Sequence, residues 1–222
     1  TRLDCLKHVA VRENEKLAAE LGIPQSTAIT CVKPSGTVSQ LVNSSSGIHA
    51  RHSPYYIRTV RQDNKDPMTE FMKDQNFPNE PCVSKPNDTT IFSFPIKAPE
   101  GAVTRNEMTA IEQLELWLKF KTHWCEHSPS VTITVREHEW LEVGAWVFAH
   151  FDEISGVSFL PHSEHIYRQA PYQECTKNEY EAMLEKMPKE FDWKWLQVYE
   201  GGEDKTVGSQ TLACTGGSCE LI

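Results

Sequence analysis

Residues 130–135 (SVTITV) alternate Val131, Ile133 and Val135 with Ser130, Thr132 and Thr134. A period of two built from β-branched side chains is what a half-buried strand requires. On either side the period changes. Upstream, Thr104-Arg-Asn-Glu107 has the spacing of a capping box and opens the longest helical pattern in the chain, with Met108, Ile111, Leu114 and Leu118 on one face. Downstream, residues 137–152 return to helical spacing through Trp140, Val143, Val147 and Phe151, and residues 156–160 again read as strand. Helix, strand, helix, strand in that order predicts an α/β fold with parallel pairing and right-handed crossovers.

The first half shows the same alternation. Residues 4–21 place Leu6, Val9, Leu17 and Leu21 on one side of a helix, with Gly22 and Pro24 as stop signals. Residues 27–32 (TAITCV) and 55–61 (YYIRTVR) read as strands, 66–75 as a short helix and 89–96 as a strand. Pro95 predicts that this last strand ends early or lies at an edge. Between them, 76–88 is a connection rich in Pro and Asn. Thr176-Lys-Asn-Glu179 is a second capping box, opening a helix to about Met187, and 193–199 has the composition of a final strand. After Tyr199 the sequence turns to Gly, Ser, Thr and Asp, the composition of a mobile tail.

Charge narrows the function. Lys and Arg number 22 against 31 Asp and Glu, a net −9, which argues against a protein that binds nucleic acid by neutralising phosphates. No apolar run reaches the roughly 18–20 residues of a membrane span. The 7 cysteines are odd in number and scattered, a usage that fits reduced thiols in the cytoplasm. The chain starts without Met, as a piece of a longer protein would.

Two clusters could carry chemistry. In Cys214-Thr-Gly-Gly-Ser-Cys219 the glycines permit the chain to double back, so the thiols can approach within disulfide range. Accessible paired thiols suit thiol–disulfide exchange, and half of a zinc site or an incidental pair are the alternatives. Pro34-Ser35-Gly36-Thr37 lies between a strand and a possible helix start. Its hydroxyls, its glycine and the following N–H groups outline a phosphate site, although the Gly-Lys-Ser/Thr of a P-loop is missing and an ordinary turn fits equally. His123, Cys125 and His127 alternate, as do His49/His52 and His162/His165, but residues two apart do not share a helix face, so these groups are read as structural or solvated.

Several segments in order, CVKPSGTVSQL (31–41), SGIHARHSPYYIRTVR (46–61), HWCEHSPSVTITV (123–135), GVSFLPHSEHIYRQAPYQ (156–173) and LACTGGSCELI (212–222), together resemble the C-terminal part of adenosylcobalamin-dependent (class II) ribonucleotide reductase. The resemblance covers essentially the whole chain, and family members are several times longer. It implies that residues 1–200 form part of a ten-stranded α/β barrel, its second half-barrel, and that 201–222 form a flexible redox tail. It also implies adenosylcobalamin as cofactor, a ribonucleotide substrate, the upstream part of the same enzyme as partner, and a thioredoxin-type reductant. In the family a finger-loop cysteine carries a thiyl radical and a cysteine pair is oxidised during turnover. The Asn-x-Cys-x-Glu finger-loop pattern is not present here, so no residue is assigned as radical carrier and the chain alone is expected to be inactive. By position, Pro34, Ser35, Gly36 and Thr37 match the loop holding the substrate phosphates, and Cys214 and Cys219 match the dithiol that re-reduces the active site. Cys31 is given a packing role, and residues 46–49 are expected to line the substrate or cofactor side. The alternative is a non-catalytic redox or zinc-binding module using the terminal cysteines.

Overall fold

The structure, a computed structural model, describes residues 1–36, 38–162 and 168–201. The described residues fall into two compact units, one within 1–51 and 101–162 and the other within 52–100 and 163–222.

The first unit is built around the strand read from residues 130–135. Strand β4 (Val131–Val135) pairs in parallel with β5 (Val157–Pro161), Val131 opposite Val157, and the two are joined through a 3₁₀ turn and helix α5 (Trp140–Ala149). This is the expected parallel pairing. Val131, Ile133 and Val135 are buried against Ala110, Leu114 and Trp117 of α4 (Ala110–His123) and Val143 and Trp146 of α5. Trp117 satisfies its indole N–H on the Pro129 carbonyl at 3.1 Å, as a fully buried Trp must.

Helix α4 begins later than the first capping box suggests. Thr109 and Glu112 form the box that caps it. Thr104 and Glu107 close a turn instead: the Glu107 carboxylate accepts from the Thr104 N–H and hydroxyl, both at 2.8 Å, and Glu107 N–H donates to Thr104 O at 3.0 Å. Helix α1 (Arg2–Leu21) is capped by Thr1 and ended by Gly22 in the left-handed region at φ 65°, as its stop signals predict. Its expected apolar face is not a buried one: only Ala18 is buried, and Leu6, Val9, Leu17 and Leu21 are exposed.

Residues 27–32 form no strand. Their backbone is satisfied without a ladder: the Glu126 carboxylate accepts from the N–H groups of Ile29 (3.0 Å) and Thr30 (3.1 Å), while Thr30 O accepts from Glu126 N–H at 2.8 Å. Buried backbone groups need partners, and here a side chain 96 residues away supplies them.

The second unit corrects the expectation of parallel pairing throughout. Its sheet has four strands in the order β2-β3-β1-β6, all pairs antiparallel: β1 (Tyr55–Asp63), β2 (Asn79–Pro81), β3 (Thr89–Lys97) and β6 (Tyr172–Glu174). The helix between β1 and β3, α3 (Pro67–Asp74), does not cross over the sheet. The chain leaves β1 at Asp63 and re-enters at Thr89 directly opposite, and Asn64 N–H donates to Asp88 O at 2.8 Å to close the excursion. Pro95 does not end β3, which runs on to Lys97; it pairs with Ile57 on one side and lies past the Thr90–Phe92 stretch that β2 covers on the other. There it removes no ladder bond. Helix α6 (Lys177–Lys186) starts at the Thr176 box as read.

Residues 193–199 are not a strand. Asp192 accepts from Lys194 N–H at 2.9 Å and starts a 3₁₀ turn, Trp193–Trp195, that leads into α7 (Leu196–Glu200). The helical path brings Trp193 and Tyr199 onto the same buried ring, Phe71, at centroid distances of 5.4 and 5.7 Å.

Candidate functional site

Of the Pro34–Thr37 loop, Pro34, Ser35 and Gly36 are described and Thr37 lies outside the described residues. Gly36 is exposed, and a Cβ placed on it would meet nothing within 4 Å, so its backbone is open to a ligand. Ser35 is held from two directions. Its Oγ accepts from Ser39 N–H at 3.2 Å, on helix α2 (Val38–Leu41). Its backbone is gripped by Ser46: Ser35 N–H donates to Ser46 Oγ at 2.8 Å, and Ser46 O–H donates to Ser35 O at 2.9 Å. The Ser35 amide is therefore committed to protein and is not one of the donors available to an anion.

The segment 46–49 proves to be a brace for this loop. Gly47, at φ 60°, packs so closely beneath it that a Cβ would lie 3.0 Å from Lys33 O and 3.2 Å from its carbonyl carbon. His49 Nδ1 lies 2.7 Å from Ser46 O, and its Nε2 lies 3.0 Å from Thr132 N on β4. A backbone N–H can only donate, so Nε2 accepts, the proton sits on Nδ1, and the ring is the neutral tautomer. Burial pushes the imidazole below its ordinary value of 6.5, with the Ser46 carbonyl acting in the opposite sense.

Two cations belong to the same loops. Lys33 Nζ donates to Ser128 O at 2.6 Å and Ser130 Oγ at 2.9 Å, tying the approach to the loop to the approach to β4. The buried Arg51 guanidinium donates to Ser44 O and, at 2.7 Å, to Asn43 Oδ1, which orders the chain at 43–44 just before the brace. Ser46 was read only as part of the 46–49 segment, and Lys33, Arg51 and Glu126 were given no role by sequence reasoning. Their partners lie up to about 97 residues away in the chain, beyond any local pattern.

Cys31 is half-buried beside the loop, its Sγ 3.7 Å from Ser128 O, in keeping with packing. Cys5, Cys31, Cys82, Cys125 and Cys175 are free thiols. Cys214 and Cys219 lie outside the described residues, as does His165. Among the described residues no group of three His, Cys, Asp or Glu could hold a metal ion. His123 instead meets Asp4 Oδ1 at 3.0 Å and His127 meets Ala28 O at 3.2 Å. No described helix is long and apolar enough to cross a membrane.

No protein-family model matches the chain. Among curated proteins, the adenosylcobalamin-dependent ribonucleoside-triphosphate reductase of Euglena gracilis is 34% identical over 169 residues, 75% of this chain and 23% of the relative. The enzyme of the same name from Lactobacillus leichmannii is 29% identical over 224 residues, 99% of this chain and 30% of the relative. A crystal structure of a B12-dependent (class II) ribonucleotide reductase superimposes with a TM-score of 0.75 at 26% identity, over 91% of this chain and 29% of that one. The chain thus spans under a third of the length of the curated relatives it matches. In sequence over essentially its whole length, and in its mixed α/β fold, it resembles one stretch of the adenosylcobalamin-dependent, class II ribonucleotide reductases.

Proposed function

We propose that this chain is the C-terminal portion of a class II ribonucleotide reductase, contributing strands to the second half of its barrel and acting in deoxyribonucleotide synthesis in the cytoplasm. The observation that carries this reading is the match in both sequence and fold across nearly the whole chain. The relatives' names favour ribonucleoside triphosphates as substrates.

In this reading Pro34, Ser35, Gly36 and Thr37 hold the substrate phosphates. The exposed Gly36 backbone allows close approach, and the brace from Ser46 and Gly47 keeps the loop in shape before the ligand arrives. Preorganisation of this kind lowers the ordering cost of binding. Ser35→Ala is expected to weaken binding of inorganic triphosphate by about 3- to 10-fold, the worth of one hydrogen bond, as read by calorimetry.

Adenosylcobalamin is the cofactor, and when bound it supplies the radical that opens the reaction. None of the described residues is assigned to it. Cys214 and Cys219 of the tail deliver the reducing equivalents. One thiolate attacks the active-site disulfide to form a mixed disulfide, and the second displaces it. Two electrons and two protons pass to the active-site pair, and the tail is left as a disulfide for a thioredoxin-type dithiol to reduce.

The test is deoxynucleotide formation by this chain combined with the upstream part of the enzyme, with and without adenosylcobalamin and with thioredoxin as reductant. Cofactor-dependent turnover that collapses in Cys214→Ser/Cys219→Ser is the expected result, and the chain alone is expected to give none. Turnover unchanged in the double variant would remove the tail from the mechanism. Stoichiometric zinc lost on Cys214→Ser would favour a metal-binding module instead.

A further inference from the structure

We propose that His49 is a positioning residue for the Ser35–Gly36 loop, tying it to strand β4 through Ser46 and loosening it when the imidazole takes up a second proton. The connection is continuous. Thr132 N–H donates to Nε2 at 3.0 Å, Nδ1–H donates to Ser46 O at 2.7 Å, and Ser46 Oγ grips both the N–H and the C=O of Ser35 at 2.8 and 2.9 Å. Both ring nitrogens are used by backbone groups, so His49 acts on the loop and not on a ligand.

A proton taken from solvent can be placed only on Nε2, where the new N–H points at the Thr132 N–H. Two donors cannot share that position, so the ring must turn, and the turn withdraws Nδ1–H from Ser46. Lys33 and Arg51 are the cations on the neighbouring segments, bound to Ser128 and Ser130 and to Asn43 and Ser44 respectively, and Glu126 is held by Ile29 and Thr30. Strands β4 (VTITV) and β5 (VSFLP) bring no ionisable side chain. Burial holds the imidazole below 6.5, against the opposing pull of the Ser46 carbonyl.

The consequence for ligand rests on the reading of this loop as a phosphate site: affinity for a polyphosphate falls as pH drops through the lowered pKa of His49. The coupling itself can be read without ligand. In a pH titration of the full 222-residue chain by NMR, the amides of Thr132 and Ser35 should move with the His49 ring at one midpoint below 6.5. Ser46→Ala keeps the Ser46 carbonyl, so the ring and Thr132 should still titrate while Ser35 no longer follows. A Ser35 amide that stays flat in the unaltered chain, or still follows the ring in Ser46→Ala, overturns the proposal.

Calorimetry with inorganic triphosphate at matched pH separates the two readings, since the ligand's own protonation affects both proteins alike. Affinity in the unaltered chain should fall about threefold or more beyond any fall in Ser46→Ala. Equal falls in both overturn the His49 proposal and leave the phosphate reading standing. Coupled amides with no triphosphate binding at any pH support the positioning role and overturn the phosphate reading.

Discussion

Gly47 shows how one residue can decide the shape of the loop. At φ 60° an L side chain is already disfavoured, and a Cβ would press on Lys33 backbone atoms at 3.0 and 3.2 Å, which cannot move without the loop. Gly47→Ala should cost about 1–2 kcal/mol in thermal unfolding and weaken triphosphate binding more than its loss of stability explains. Glu139 is a second single-residue case. Its buried carboxylate accepts from Ala110 N–H at 2.9 Å and Arg136 N–H at 2.7 Å, fastening the first turn of α4 to the end of β4. Burial opposes its charge, but these N–H groups and the Arg136 guanidinium outweigh it and hold the carboxyl below its ordinary 4.5. Because the folded value is the lower one, the contribution is complete above about pH 4.5 and is lost as pH falls through the lowered value. Glu139→Ala should cost about 2–3 kcal/mol near neutral pH, and Glu139→Gln should remove this share of the acid slope. Gly47 was read only as part of the 46–49 segment, and Glu139 was not read as a site element at all. The turn at Ser35-Gly36 was legible because such residues advertise their own conformation, whereas Glu139 matters through N–H groups that only the fold brings to it.

At the scale of elements, the sequence was most readable where a pattern depends on local periodicity. Strand β4 follows from its alternation, the end of α1 from its stop signals and the start of α6 from its capping box. The two boxes at Thr104 and Thr109 show the limit of such a signal. Both have the right residues, but only Glu112 N–H donates to its threonine hydroxyl, at 3.2 Å, whereas Glu107 N–H goes to the Thr104 carbonyl at 3.0 Å. Thr104 is tied instead to a turn, since Arg51 N–H donates to Val103 O at 2.9 Å and Arg105 N–H to Arg51 O at 2.8 Å, which holds 103–105 extended. Helix can begin only after that bridge. Thr109→Ala should therefore cost about 1 kcal/mol, with circular dichroism melting as the readout. The antiparallel sheet was missed for a related reason. Alternating helix and strand predicts crossovers, but direction is set by where an excursion returns. Here Asn64 and Asp88 close it at the end of the strand it left. That contact spans 24 residues and leaves no periodic trace.

At the scale of the whole molecule, the same sequence leaves much apolar side chain outside its cores. Leu141 is 90% exposed and Phe148 86%, seven residues apart on one face of α5, with Phe151 just beyond its end. The opposite face buries Val143 and Trp146, so α5 is apolar on both sides, which periodicity reports only as a helix. Helix α1 repeats the pattern, its sequence-derived apolar face of Leu6, Val9, Leu17 and Leu21 lying in solvent. Exposed apolar groups of this size drive association by removing area from water, at roughly 25 cal/mol per Å². The 222-residue chain on its own should therefore associate as its concentration rises, and sedimentation should show it. Leu141→Lys with Phe148→Glu should suppress that association while leaving thermal unfolding within about 0.5 kcal/mol, since neither side chain contributes buried area to the fold. A large loss of stability would mean that this face is packed in solution, and unchanged association would shift the cause to α1. The contrast with Gly47 and Glu139 is the physical point: those positions are fixed by what they touch within the chain, whereas Leu141 and Phe148 are hydrophobic and, among the described residues, largely uncovered.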